Sequence, residues 1–444
     1  MPLLAIPLAL PADVSAIRAG DIDADGRDEL LVVSHTAGAA GQPDAVTLTV
    51  MHFDADAHLT EQTDLALGRR ATLWDVQGGL WGIDAKGVRD LQTGDRPIAQ
   101  PTMMGMLGAT APLAADIADD FDGDGLPEVI VPGGGRLSVY SIDGTHHGSV
   151  PAPPNGELTT RNDSGGVVVV ASAKLPPMVI GDIDGDGLKD ILLPSDRRAT
   201  AWITGDVAGE TKRVLPLPLD LTPEDDPDAS ERLARTWFTD VDMDGKIDLV
   251  TQHWVTDGSW FGATARISVY RGTGTGFGSA QTIRTDGAAV EVRLTDFDGD
   301  GDQDLIVGEI DLGMGNLGRA LIARTVQIQA NLYRMSDSGR YPTAPQQLRD
   351  LSWPLDDPSR LLLSFDGDIN GDGRLDLVTN NGAAELSVYF GGLGALPTTP
   401  NLQVATDEGR AGEQLFVRDL TGDGRAEIIR WRSGEDAATL WTLK

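Results

Sequence analysis

Aspartate recurs along this chain at a spacing that suits a divalent cation. The stretch Asp21-Ile22-Asp23-Ala24-Asp25-Gly26-Arg27-Asp28-Glu29 returns with the same grammar from Asp120, Asp182, Asp240, Asp296, Asp368 and Asp419. Oxygen-bearing side chains occupy positions 1, 3, 5 and 9, and position 6 is always glycine. Calcium takes about six to eight oxygens in a flexible shell, and one compact loop supplies most of them. Carboxylates at 1, 3 and 5 converge, glycine permits the sharp turn, position 7 offers its main-chain carbonyl, and the acid at 9 closes the sphere.

The predicted ligands are Asp21, Asp23, Asp25 and Glu29 with the carbonyl of Arg27, and Asp120, Asp122, Asp124 and Glu128 with that of Leu126. Asp182, Asp184, Asp186 and Asp190 follow with Leu188, then Asp240, Asp242, Asp244 and Asp248 with Lys246. The remaining loops give Asp296, Asp298, Asp300 and Asp304 with Asp302, Asp368, Asn370, Asp372 and Asp376 with Arg374, and Asp419, Thr421, Asp423 and Glu427 with Arg425. Position 7 varies freely, as expected where only a carbonyl matters. Position 2 is always apolar (Ile22, Phe121, Ile183, Val241, Phe297, Ile369, Leu420), which suits a side chain turned into the fold. Asn370 and Thr421 keep an oxygen and drop a charge, so the last loop is expected to bind most weakly. A solitary Asp-Gly turn is ordinarily only a solvated turn. Seven copies sharing four oxygen positions point to about seven calcium ions, and magnesium, with its tight octahedral demand, suits such loops less well.

These loops need elements that hold them. The first gap between loops is 99 residues and the others are 51 to 72, so a unit lacking its ligands is expected inside the first. Trp74-Asp75-Val76-Gln77-Gly78-Gly79 is its best anchor, and Asp84 to Asp90, with Lys86 before Gly87, is the alternative. Each unit repeats one pattern. An apolar strand enters the loop (Met178-Val179-Ile180-Gly181) and a second leaves it (Ile191-Leu192-Leu193). An alternating third follows (Leu137-Ser138-Val139-Tyr140, Ile267-Ser268-Val269-Tyr270, Leu386-Ser387-Val388-Tyr389), then a variable fourth (Arg213-Val214-Leu215-Pro216-Leu217). Period-two patterning bounded by Gly, Asp and Asn marks antiparallel strands. Four strands repeated many times predict an all-β, eight-bladed β-propeller filling residues 1–444 as a single domain, with a degenerate blade at about 71–101. Seven blades is the alternative if 71–101 is only an insertion. The last unit offers three strands, and Leu3 to Leu10 resembles a fourth strand, so the N-terminal strand is expected to join the last blade and close the ring.

Composition narrows the partners. With 68 Asp+Glu against 35 Lys+Arg the formal charge is -33, which repels nucleic acid and anionic lipid. Seven calcium ions would reduce that to -19. The chain has no cysteine, so disulfides and thiolate sites are excluded. Met1 to Leu10 is apolar, but it lacks a basic start and is too short for a signal peptide, and no stretch approaches the roughly 20 apolar residues of a membrane helix.

The loops and their surroundings resemble the FG-GAP/VCBS repeats of integrin alpha-subunit propellers and their bacterial relatives. Asp296-Phe297-Asp298-Gly299-Asp300-Gly301-Asp302-Gln303-Asp304-Leu305-Ile306-Val307-Gly308 is close to that pattern, as is Ile267-Ser268-Val269-Tyr270-Arg271-Gly272-Thr273-Gly274 with Phe277-Gly278 after it. The resemblance covers nearly the whole chain. It implies a propeller with calcium in the loop joining the first two strands of each blade. The Gly-Ala-Pro element is poorly kept and the metal loops are numerous, which places the chain with the bacterial type.

The expected role is a calcium-stabilised, monomeric scaffold for adhesion or ligand binding, extracellular, at the cell surface or periplasmic, with a protein or glycan partner. The alternative is a lectin. Nine tryptophans (Trp74, Trp81, Trp202, Trp237, Trp254, Trp260, Trp353, Trp431, Trp441) are potential stacking platforms, but they recur at no common blade position and read first as packing. Trp254 to Phe261, two Trp and a Phe in a Gly/Ser loop, is the best exception. Enzyme activity is not expected, and a polysaccharide lyase is the nearest candidate, needing a Brønsted acid and base around a groove. The six histidines (His35, His52, His58, His146, His147, His253) show no zinc spacing and read as surface residues, with His146-His147 in a turn. Asp220 to Arg235, Gly313 to Asn316 and Ala320 to Tyr341 look like extra material and are the expected partner-binding face.

Overall fold

The structure, a computed structural model, describes residues 2–38, 44–68, 72–106, 112–152, 155–163, 166–174, 177–205, 212–221, 230–256, 262–311, 313, 320, 322–355, 361–380, 384–407 and 412–444. It is an all-β, eight-bladed propeller with blades of antiparallel strands. Contacts gather the chain into two compact units. One comprises Pro11–His52 and Thr60–Leu217 and carries blades one to four; the other comprises Met1–Leu10, Phe53–Leu59 and Pro218–Lys444 and carries blades five to eight.

Blade one shows how sequence sets position. Its second strand, Glu29–Thr36, is buried along nearly its whole length, because Leu30, Leu31, Val32 and Val33 pack on both faces. Its fourth strand, Leu59–Gly68, is a mostly exposed edge, and its polar run Thr60 to Asp64 fits that place. Blade three repeats the pattern with Ala118–Asp119, Glu128–Gly133, Arg136–Ser141 and His146–Pro151.

Each core cluster joins consecutive blades within a unit. Ile22 and Leu48 of blade one meet Trp74 and Leu80 of blade two. Phe121 and Val139 of blade three meet Ile191 and Trp202 of blade four. In the other unit, Val241 and Ile267 of blade five pack with Leu305 and Tyr333 of blade six, and Phe297 of blade six with Phe365 and Leu377 of blade seven. The apolar residue at position 2 therefore plugs the seam to the next blade in the loops of blades one, three, five and six.

Blade two is the degenerate one. Leu73–Val76, Leu80–Asp84, Gly87–Asp90 and Ile98–Ala99 pair in order, and Leu113–Ala114 adds a parallel fifth strand beside the first. The tight turn Gln77-Gly78-Gly79 replaces the acidic loop. Asp75 still uses its carboxylate: Oδ2 accepts the N–H of Ile117 at 2.7 Å and of Ala118 at 2.9 Å, pinning the entry to blade three. Burial pushes the Asp75 carboxyl above its ordinary range. In blade eight, Leu3–Ala9 pairs antiparallel with Ala437–Leu443, from Leu3 opposite Leu443 to Ala9 opposite Ala437, and completes the sheet.

Three sequence expectations need correction. Thr325–Tyr333 within the supposed insertion is the third strand of blade six, and Glu231–Thr239 is the first strand of blade five, so both belong to the repeat. Residues 222–229, 257–261 and 314–319, which hold the remainder of the extra segments and the Trp260–Phe261 tip, lie outside the described residues. His146-His147 opens a strand and is not in a turn. One element went unforeseen, a hairpin of Asn155–Asp163 with Gly166–Lys174 between blades three and four.

Candidate metal centres

All seven acidic loops join the first and second strands of their blades, and a common hydrogen-bond framework shapes them. Oδ2 of the position-1 aspartate accepts the N–H of the position-6 glycine in every loop, at 2.6 to 3.0 Å. Oδ1 of the position-5 aspartate accepts the N–H of position 7, at 2.8 to 3.1 Å. Position 4 takes a positive φ throughout, from 52° at Met243 to 84° at Gly185, and the sequence answers with glycine at five of the seven. Ala24 and Met243 adopt it with a side chain.

The position-9 acid is the buried anchor. One of its oxygens accepts the N–H of position 2 in every loop, at 2.8 to 3.3 Å. Where it is aspartate, the other oxygen accepts a second N–H, from Thr204, Gly272, Met335 or Gly391. Where it is glutamate, the longer arm reaches a side chain: Nδ1 of His52 lies 3.1 Å from Glu29, and Ser141 and Thr442 each donate at 3.1 Å to Glu128 and Glu427. The acid thus knits the loop as well as offering its remaining lone pairs to an ion.

Burial, with the neighbouring aspartates adding to it, raises these carboxyls in the metal-free protein. Asp190 and Asp304 are pushed to about 7, Glu427 to about 7 and Asp376 to about 6. Glu29, Glu128 and Asp248 shift the same way, burial again leading.

Position 3 tests whether a cation fits. Oδ1 of Asp184, Asp242 and Asp298 is buried and without a hydrogen-bond partner. In each case Oδ2 is held by an arginine: Arg213 at 2.8 Å, Arg271 at 3.3 Å and Arg334 at 2.8 Å. A buried carboxylate oxygen without a donor is costly, and a cation supplies the missing partner. These three loops fit a metal cation on that ground. In the last two, Oδ1 of Asn370 accepts the N–H of Asp372 at 2.8 Å, and Thr421 lies 3.4 Å from Asp419. Position 7 proves less indifferent than its variety suggests, since Lys246 and Arg425 fold back onto the position-5 aspartates.

Successive loops are linked through the backbone. The position-2 carbonyls of Phe121, Val241 and Phe297 accept the position-8 N–H groups of Lys189, Gln303 and Leu375 in the next blade's loop, at 2.9 to 3.3 Å. The carbonyl of Asp368 accepts from Ala426 at 2.6 Å.

Residues 120–193, 240–307 and 368–429 match the FG-GAP-like repeat. Those three stretches are FG-GAP-like repeats. Among curated proteins none matches this chain. Among solved structures, BBS1N in complex with ARL6DN is similar at 12% identity over 100% of this chain and 97% of that one, with a TM-score of 0.39. The V. cholerae biofilm matrix protein Bap1 follows at 10% identity, 98% and 89% coverage and a TM-score of 0.29. The NanB sialidase of Streptococcus pneumoniae shows 10% identity, 85% and 67% coverage and a TM-score of 0.31. Likeness this distant transfers no activity.

Two residues beside the loops were missed from sequence. His52, at the end of blade one's third strand, and His147, in blade three's fourth strand, both bring Nδ1 to a loop carboxylate. They stand 23 and 19 residues after the position-9 acid, beyond any short motif. Arg271 also stands 23 residues after its own acid, and that recurrence was the available signal.

Proposed function

We propose that this protein is a calcium-stabilised binding scaffold that works outside the cytoplasm, at the cell surface or in the periplasm, with its ions structural and no catalytic role. One observation carries the reading: three loops bury a position-3 carboxylate oxygen with no partner but a cation to satisfy it. The backbone links between successive loops support it, because an ion that orders one loop also orders the seam to the next. Extracellular modules hold calcium with dissociation constants of roughly 0.1–1 mM, so millimolar calcium would fill such sites. Equilibrium dialysis of the metal-stripped protein tests the reading. About seven calcium ions per chain are expected, falling by one in Asp298→Ala; no uptake above an unrelated acidic protein contradicts it.

The ligand is proposed to be a protein or a glycan. A cleft of about 620 Å³ on the last blade, lined by Asp407, Glu413, Arg430, Arg432, Glu435 and Trp441, favours a polar ligand such as a glycan. Against stacking platforms, Trp74, Trp81 and Trp202 are buried in the core, and Trp431 and Trp441, which border the cleft, expose only 4% and 5%. A glycan array that lights up for the wild type and not for Arg432→Ala would place the ligand there; a flat array turns the search to protein partners.

A further inference from the structure

We propose that two of the seven loops, those of blades one and three, are mixed nitrogen–oxygen sites that take zinc in preference to calcium. This rests on the reading that the loops bind divalent cations and changes which cation two of them select. Asp23, Glu29 and His52 bring ligand atoms within 4.8 Å of one another, as do Asp122, Glu128 and His147. The histidines arrive from different strands, and each presents Nδ1 to the loop.

At blade three the hydrogen bonds fix the tautomer. Ser141 spends its one hydroxyl proton on Glu128 at 3.1 Å, so its contact with Nε2 of His147 requires the imidazole to donate. In the neutral ring Nδ1 then carries the lone pair, 4.0 Å from Oδ2 of Asp122. That gap is too long for a hydrogen bond, and since tetrahedral ligands at about 2 Å from one ion sit about 3.3 Å apart, the pair must close by less than about 1 Å to hold zinc. The Glu128–Ser141–His147 chain is the kind of outer-shell support that orients a ligating imidazole. At blade one Nδ1 of His52 lies 3.1 Å from Glu29, and ligation there needs only the shift of its proton to Nε2.

Calcium prefers an all-oxygen shell, whereas an imidazole set among carboxylates matches zinc. In blades four, five and six such places are held by arginine. Arg271 and Arg334 stand opposite their position-9 acids as His52 stands opposite Glu29, and Arg213 is the second residue of its fourth strand as His147 is of its own. A guanidinium stays protonated and never ligates.

Isothermal titration of zinc into protein saturated with millimolar calcium tests the proposal, with calcium counted by dialysis in parallel. Two zinc ions per chain are expected, displacing at most two calcium ions. His52→Gln and His147→Gln should each remove one, with zinc affinity at that site down by about 100-fold. Calcium uptake at the other five loops should be unchanged. Cobalt substitution gives an independent reading, with visible absorption in the wild type that the double variant lacks. Two zinc ions still bound by the double variant, which keeps His35, His58, His146 and His253, would overturn the proposal. So would zinc that calcium competes away equally from all seven loops. Failure of calcium uptake altogether would instead count against the scaffold reading, so the two outcomes are separable.

Discussion

Blades one and three differ from blades four, five and six at two positions: the position-9 acid is glutamate rather than aspartate, and the residue flanking the loop changes. Where the former set an imidazole beside the acidic loop, the latter set a guanidinium. In the arginine-flanked loops the protein partly neutralises its own carboxylates: Arg271 lies 2.7 Å from Asp248 and 3.3 Å from Asp242, and Nη2 donates to the carbonyl of Gly339 at 2.6 Å. The orphaned Oδ1 atoms of Asp184, Asp242 and Asp298 fall in these loops alone among the described residues. The arginine fixes one carboxylate oxygen and leaves the other facing the place of an ion. In the histidine-flanked loops no arginine or lysine pairs with the loop acids at positions 1, 3, 5 and 9 among the described residues, and the histidine is itself a nitrogen donor. Similar acidic motifs therefore sit in different electrostatic surroundings, through a neighbour some twenty residues away.

The comparison is sharpest where a guanidinium is removed. Arg271→Met strands the buried Asp248 and is expected to cost about 2–4 kcal/mol in chelator, since breaking a buried pair leaves an uncompensated charge. His52→Gln should cost about 1 kcal/mol or less under the same conditions. Calcium should recover more of the Arg271→Met loss than of the other, and urea melts with and without calcium measure both. Equal losses would erase the distinction.

Backbone geometry supplies the next effect. A Cβ on Gly299 would lie 2.1 Å from the carbonyl oxygen of Gly373 in the adjoining loop, at a φ of 76°. Gly299→Ala should cost about 2 kcal/mol, against about 1 kcal/mol for Gly125→Ala, where φ is positive but the space is open. Similar costs at both positions would deny that the loops of blades six and seven are locked together.

The raised carboxyls give a pH signature. Asp190 and Asp304, near 7 when metal-free, favour their protonated forms in the folded state. In chelator that contribution is present at low pH and is lost as pH rises from the ordinary carboxylate range through about 7. Calcium needs the ionised forms, so the gap between melting temperatures with and without calcium should widen by several degrees from about pH 5 to about pH 8. A constant gap would exclude these acids from ion binding. Smallest of all, Met243→Gly relieves a side chain held at φ 52° and should stabilise by about 0.5–1 kcal/mol in a melt.

The blade pattern was readable because glycine at position 6 and acids at 1, 5 and 9 repeat without exception, and copies such as Ile267 to Tyr270 mark the third strand. The unit around Trp74 was readable only through the length of the gap it fills. The flanking histidines and arginines were not, because the third and fourth strands carry them back to the loop from about 20 to 30 residues downstream. The hairpin 155–174 escaped because its apolar run Val167 to Val170 has no counterpart in other units. The third strand of blade six passed for an insertion because Gln327, Gln329 and Asn331 interrupt the apolar alternation seen elsewhere.

The claim that the acidic loops act as cation-dependent staples is tested most directly by thermal unfolding with millimolar calcium and with excess EGTA. Each occupied site at tenfold excess adds about 1.4 kcal/mol, and seven add on the order of 10 kcal/mol, comparable to a whole domain's stability. The expected result is a fall in melting temperature of about 10 °C or more on chelation, restored by calcium. Superimposable melts in calcium and EGTA would contradict it.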